Sequence, residues 1–205
     1  MLAYVLYCLY THPKALAKVR AEHDSLFGTD YHKAGSVLST EPANLQQMPY
    51  TNACIREALR LYAPAGTVRQ GSDEVFIKSS KNGCQYPSTI AGYKFPLVLF
   101  SVTIHRHASN FDRPDEYDPN RFFGKEMNAS IWRPFERGPR HCIGFEMALN
   151  EIKVALALIV RRFGIKPAYE KAEPAVLGER AFMELDSNAF PTEGLPVIVT
   201  LARPP

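Results

Sequence analysis

The sequence has no apolar run long enough to cross a membrane as a helix. Its most apolar stretches are Met1 to Tyr10 and Val154 to Val160, whereas a spanning helix takes about 20 such residues. Met1 to Tyr10 also has no basic region before it and no small-residue cleavage site, so it does not read as a secretion signal. The expectation is no membrane segment in this chain. Cysteine is scarce too: Cys8, Cys54, Cys84 and Cys142 stand apart from one another. That spacing offers no disulfide framework and no zinc knuckle, and fits a reducing compartment. Charge of one sign is nearly absent in excess, with 24 basic against 21 acidic side chains, which gives no argument for a nucleic-acid partner. No internal repeat, low-complexity segment or linker divides the chain. What is present is 46% apolar content over 205 residues, enough to bury one core without covalent staples, so residues 1–205 are expected to form a single domain.

One cysteine is set apart by its neighbours, in the run Phe135-Glu136-Arg137-Gly138-Pro139-Arg140-His141-Cys142-Ile143-Gly144. A lone cysteine is most often a small buried hydrophobe, but Arg137, Arg140 and His141 favour a thiolate here. A helix starting just after Cys142 would point its positive end at the sulfur. The glycines and Pro139 form a tight loop whose N–H groups can approach a ligand. Such a thiolate can attack a substrate or bind a metal. A phosphatase-like nucleophile would need an anion-binding loop after it, and Ile143 to Ala148 has no arginine. A zinc site would need a second Cys or His at short spacing. Haem iron can take a single thiolate as its only protein ligand.

The same ten residues resemble the haem-binding signature of the cytochrome P-450 family, Phe-x-x-Gly-x-Arg-x-Cys-x-Gly. Phe135, Gly138, Arg140, Cys142 and Gly144 fill every fixed position. The resemblance implies that Cys142 is the axial ligand of haem iron, that Arg140 pairs with a haem propionate and that Phe135 shields the sulfur. Glu136-Arg137 stand where small residues or glycine are common, which alters the charge near the sulfur. Two further runs follow the family's order. Glu57-Ala58-Leu59-Arg60, continued by Leu61-Tyr62-Ala63-Pro64, resembles its Glu-x-x-Arg helix. Pro119-Asn120-Arg121-Phe122 resembles its Pro-x-Arg-Phe run, with Asn120 where an acid is frequent. By resemblance Glu57, Arg60 and Arg121 form a buried cluster behind the haem loop, and Arg69 is a second propionate-binding arginine.

Taken in order, Met1 to Tyr10 reads as the end of a helix broken at Thr11-His12-Pro13, with Thr11 capping a second helix to about Phe27-Gly28. In the family such a passage follows the distal helix, whose Ala/Gly-Gly-x-Asp/Glu-Thr run handles oxygen and protons; the chain is therefore expected to be the C-terminal portion of the fold, truncated at its N-terminus. Ala34-Gly35-Ser36 is only a decoy for that run and is expected in a polar loop. Pro42 and Pro49 bracket a turn, and Pro49 opens a helix with Tyr50, Ala53, Ala58, Leu61 and Tyr62 on its apolar side, ending before Pro64. Val75 to Ile77 and Leu97 to Ile104 read as strands, with turns at Lys81-Asn82-Gly83 and Ala91-Gly92. His105 and His107 read as polar loop residues rather than metal ligands. Asn110 to Gly124 reads as an irregular meander.

Phe145 to Phe163 is predicted as a helix of about 19 residues, nearly 28 Å long, with Ala148, Ile152, Ala155, Leu156, Ile159 and Phe163 on one stripe and Glu146, Asn150 and Lys153 on another. Phe182 to Leu201 is predicted as a terminal hairpin around Pro191-Thr192-Glu193-Gly194, and by resemblance its tip near Ala189 and Phe190 enters the substrate pocket. The fold expected is mainly α with small β-sheets. The resemblance further implies protoporphyrin haem, O2, a small organic substrate and an electron-donating reductase docking near Arg133, Arg137 and Lys125, with the cytosolic face of the endoplasmic reticulum as the place of eukaryotic relatives. Two other readings are a haem-binding piece without turnover and a regulatory domain using a redox-active Cys142.

Overall fold

The computed structural model describes all residues except 80, 81, 91, 92, 95, 126, 129, 170–181, 186–188 and 203–205. The predicted turn at Ala91-Gly92 and Lys81 of the preceding turn lie outside the described residues. The chain opens with helices α1 (Leu2–Thr11) and α2 (Pro13–Phe27). Pro13 occupies the first turn of α2, where its missing N–H is not needed. Thr11 is not the cap: its hydroxyl donates back to the Tyr7 carbonyl at 2.7 Å, the usual choice for a threonine still inside a helix. His12 holds the N-cap position instead.

Helix α3 (Ala34–Thr40) contains Ala34-Gly35-Ser36, so that run is helical rather than a polar loop. A Cβ on Gly35 would lie 3.7 Å from Leu158, so the short helix packs closely there. The Pro42–Gln47 segment makes a 3-10 turn, and α4 (Pro49–Leu61) follows. Met48 offers α4 no side-chain cap. Glu22 of α2 does so from outside, accepting the N–H groups of Tyr50 at 2.7 Å and Thr51 at 2.8 Å and the Thr51 hydroxyl at 2.6 Å. A carboxylate at a helix N-terminus is favoured by both hydrogen bonding and the dipole.

Five two-stranded antiparallel ladders hold the strands among the described residues. Strand β1 (Gly66–Gln70) precedes β2 (Phe76–Lys78), β3 (Gln85–Pro87), β4 (Thr89–Ile90), β5 (Tyr93–Lys94) and β6 (Pro96–Phe100). β1 pairs with β6 in the register Val68 opposite Val98, β2 with β3, and β4 with β5. The strand expected over Leu97 to Ile104 stops at Phe100, and Ser101–His105 turns into a short helix, α5. The reason is tertiary: the His105 carbonyl accepts Arg60 Nη1 at 2.9 Å and the Ser101 hydroxyl reaches the Arg133 carbonyl at 3.1 Å, bonds that an extended chain would forgo. Asn110 to Gly124 is irregular apart from a 3-10 turn at Pro119–Arg121.

Helix α6 (Phe145–Ile159) is shorter than predicted, because Phe163 opens strand β7 (Phe163–Pro167). Its buried face is centred on Leu149, Ile152, Lys153, Leu156 and Ala157, so Lys153 lies inside rather than on the polar stripe. β7 pairs with β10 (Val197–Leu201), Ile165 opposite Val199. β8 (Met183–Leu185) pairs with β9 (Ala189–Pro191). The single hairpin expected over Phe182 to Leu201 is therefore split: its last strand returns to the end of α6. At Gly164 a Cβ would meet Thr200 Oγ1 at 2.9 Å, so a larger residue there would force Thr200 to shift.

One core joins the beginning, middle and end of the chain. Val5, Leu9, Val19, Cys54, Ile55, Leu59, Leu156 and Leu195 belong to it. Each fully buried aliphatic side chain contributes roughly 1.5–3 kcal/mol. The fold is mainly α with small β-sheets, and no described helix is long and apolar enough to cross a membrane.

Candidate functional site

Helix α4 carries the groundwork of the site. Glu57 and Arg60, three residues apart, face one way and are both fully buried. Arg60 Nε and Nη2 donate to the two oxygens of Glu57, each at 2.8 Å. The remaining donors of Arg60 reach the carbonyls of His105, Pro114 and Glu116, so the irregular meander is pinned to one guanidinium. Glu57 Oε1 also accepts the Asp118 N–H at 3.0 Å and Arg121 Nε at 3.3 Å. The structure thus brings Glu57, Arg60 and Arg121 together, with all five guanidinium donors of Arg60 in use and both carboxylate oxygens of Glu57 accepting.

His105 extends this network toward the cysteine loop. It is fully buried, not a polar loop residue. Its Nδ1 donates to the Arg60 carbonyl at 3.1 Å, and its Nε2 accepts the Arg133 N–H at 2.9 Å. That pattern needs a neutral ring, and burial pushes the His105 pKa down to about 4, partly opposed by the bond to the Arg60 carbonyl. His107, by contrast, is exposed and contacts Ser109. Trp132 anchors the next residues by donating its indole N–H to the Arg56 carbonyl at 3.2 Å.

From this base the loop Phe135–Gly144 doubles back. Gly138 has φ +69°, a left-handed conformation suited to glycine. Gly138–Arg140 then form a 3-10 turn. The Cys142 N–H closes the loop on the Phe135 carbonyl at 3.0 Å, and the Phe135 ring meets Phe145 edge-on with centroids 4.9 Å apart. Cys142 is exposed at the surface of a cleft of about 340 Å³. Pro64, Ala65, Thr67, Phe135, Glu136 and Arg140 are among the residues that share its walls. A Cβ on Gly144 would come within 3.9 Å of the Cys142 sulfur, so glycine keeps that side of Sγ clear.

Of the predicted site residues, Cys142, Phe135 and Arg140 line this cleft directly, and Arg140 is exposed. Arg69 lies on β1, two residues beyond Thr67 of the cleft wall, and its Nη2 pairs with Glu136 Oε2 at 3.2 Å. Arg133, expected among surface contacts, is committed to Glu136 through Nε at 2.8 Å and through Nη2. Arg137 and Lys125 are exposed. Phe190, expected near a pocket tip, is partly exposed on β9. Of the other thiols, Cys84 is exposed but does not line this cleft, while Cys8 and Cys54 are buried, and burial pushes the Cys54 thiol up to about 12. No group of three or more His, Cys, Asp or Glu that could hold a metal occurs among the described residues. No local pattern joins His105 to Arg133, 28 residues on, or Glu136 to Arg69, 67 residues back, so sequence reasoning missed these links.

Comparison with known proteins gives a consistent result. The sequence profile described as Cytochrome P-450 matches residues 1–189. The cytochrome P-450 monooxygenase acrF of Aspergillus aculeatus is 33% identical over 97% of this chain and 46% of its own length. The cytochrome P-450 monooxygenase polC of Polytolypa hystricis is 33% identical over 98% of this chain and 38% of its own length. Human cytochrome P-450 4A11 is 37% identical over 81% of this chain and 30% of its own length. The chain thus spans less than half the length of these relatives.

Proposed function

The chain belongs to the cytochrome P-450 family, and from that premise we propose that the Cys142 cleft is the thiolate side of a haem site in a monooxygenase. In that reading one oxygen atom of O2 enters a small organic substrate and the other leaves as water, with electrons from a reductase. The observation that supports it is the placement of one exposed thiol in a cleft with Arg140 and Phe135, kept open on one side by Gly144. The donor set fits an iron porphyrin: one soft sulfur ligand, guanidinium groups at the rim for carboxylates, and apolar walls from Pro64, Ala65, Pro134 and Phe135.

The residues of the chain would divide the work as follows. Cys142 Sγ would bind iron, and Arg140 and Arg69 would receive the propionates. When bound, the haem supplies oxygen activation, which a thiolate ligand favours by donating electron density. The Phe135 carbonyl fixes the backbone of Cys142, and the Phe135 ring, in the same cleft, would shield the sulfur. The network from Glu57 through Arg60 and His105 to Arg133 would hold the loop rigid, as a ligand set must be held to bind one metal well. We assign residues 1–205 to a single unit of this kind, because one core draws on α1, α2, α4 and α6.

A second reading is a haem-binding portion that does not turn over alone. It is favoured by the 205 residues containing no Ala/Gly-Gly-x-Asp/Glu-Thr run, so the groups that handle oxygen and protons are not among them. Haem titration of a Cys84→Ser background, where Cys142 is the one exposed thiol left among the described residues, tests the shared core of both readings. Haem is expected to protect Cys142 from iodoacetamide, and prior alkylation is expected to block uptake. Equal uptake by alkylated and free protein would reject the site.

A further inference from the structure

The haem reading leaves one charged side chain of the cleft without a role. Glu136 stands in the cleft wall with φ +62°, a backbone conformation that residues other than glycine rarely adopt. Its carboxylate is only 13% exposed and is held by two arginines from different parts of the chain. Oε2 meets Nη2 of Arg69 at 3.2 Å, and Oε1 meets Nε and Nη2 of Arg133. Arg69 is itself immobilised: its Nη1 is tied to the Thr67 hydroxyl and, at 3.1 Å, to the Val68 carbonyl. The outcome is a guanidinium fixed in place, with one edge turned to an anion, at the end of the cleft wall. The anion it meets belongs to the protein.

We propose that Glu136 is a built-in stand-in for the carboxylate of a cleft ligand, occupying the anion position on Arg69 until an incoming acid displaces it. This inference rests on the haem reading for the identity of the acid, a porphyrin propionate, but not for the competition itself. The two halves of the Glu136 clamp are unequal. Arg69 is 38% exposed and contributes a single contact, a pair that water and salt screen readily. Arg133 is 25% exposed and offers two nitrogens to one oxygen, and its backbone N–H is fixed on buried His105. A ligand carboxylate therefore competes for Arg69 alone, while Glu136 stays paired with Arg133 and is never left as an isolated charge. Glu136 is a positioning residue in this account: it keeps Arg69 extended and ready, and it sets a threshold that an anionic group of the ligand must cross.

The test uses the full chain and its Glu136→Gln variant, with Arg69→Met added to each, after thermal unfolding has shown that all four fold. First, sodium propionate is titrated while the side-chain Nε resonances of Arg69 and Arg133 are followed. Loss of the competing charge is expected to tighten propionate binding at Arg69 by about fivefold, with the Arg133 signal little changed. Second, metal-free protoporphyrin is compared with its dimethyl ester by fluorescence quenching. The diacid is expected to gain about fivefold in the Gln variant, the ester to gain nothing, and Arg69→Met to abolish the gain. An Arg69 resonance that ignores propionate in the Gln variant, or equal shifts for diacid and ester, would overturn the stand-in. Propionate competition without binding of either porphyrin would uphold the stand-in and reject haem as the ligand.

Discussion

His105 and Arg133 are joined by a hydrogen bond from the Arg133 N–H to the imidazole Nε2, 2.9 Å long, while the other ring nitrogen donates to the carbonyl of Arg60. One buried ring thereby connects the Glu57–Arg60 pair to the loop that carries Cys142. Replacing it by leucine leaves the Arg133 N–H and the Arg60 carbonyl without that partner. His105→Leu is expected to lower unfolding stability by about 2–4 kcal/mol, since each buried group left unpaired costs about 1–3 kcal/mol. Urea denaturation checks this; a loss well under 1 kcal/mol would show the ring to be dispensable.

The same ring makes the fold sensitive to mild acid, together with His23. Burial pushes His23 down to about 3, with the Arg161 charge acting in the same direction, and His105 down to about 4. Both are neutral in the folded and unfolded chain above pH 6.5. Below it the unfolded chain takes up protons and the folded chain does not, so stability falls as pH drops toward the folded values. Each histidine contributes a slope of about 1.4 kcal/mol per pH unit, roughly 4 kcal/mol for the two by pH 5. Urea midpoints at pH 7, 6 and 5 are expected to show this fall, and His23→Gln to remove about half of it. A flat profile between pH 7 and 5 would contradict the buried neutral state.

Glu57→Gln leaves the fully buried Arg60 facing a neutral amide. The expected cost is about 3–5 kcal/mol, the penalty for an uncompensated buried charge. Arg121→Gln is expected to cost only about 1 kcal/mol, because its contact with Glu57 is longer, 3.3 Å, and its side chain is 11% exposed. Thermal or chemical unfolding of the two variants checks the ranking, and equal losses would mean that the pair is not the centre of the cluster.

Gly144→Ala separates stability from access to the sulfur. Gly144 has φ −84°, so alanine meets no backbone strain, and its Cβ would lie 3.9 Å from Cys142 Sγ. Stability is expected to change by less than about 0.5 kcal/mol, while alkylation of Cys142 by iodoacetamide slows. An unchanged alkylation rate would show that Gly144 does not border the reactive side of the sulfur.

Much of the arrangement is legible in the sequence because it is local. Pro13 and Pro49 mark helix starts, the Glu57-Ala58-Leu59-Arg60 spacing puts two charges on one face, and Gly138 marks the turn before Cys142. What is not legible depends on distant partners. Leu97 to Ile104 is mostly apolar and carries β-branched Val98, Val102, Thr103 and Ile104, yet Arg60 draws His105 into a helical turn. Phe163 continues the stripe of α6, yet cross-strand pairing with Leu201 makes it the start of β7. Lys153 has a polar head and still lies buried, as a long aliphatic stem allows. Glu136 reads only as an added charge near the sulfur until Arg69, 67 residues away, is seen to meet it.

The most direct measurement is the carbon monoxide difference spectrum of the reduced, haem-supplemented chain beside its Cys142→Ser variant. The account predicts a red-shifted Soret band from thiolate-bound haem that disappears in the variant. The same band in both proteins, or none in a folded chain that has taken up haem, would contradict Cys142 as the iron ligand.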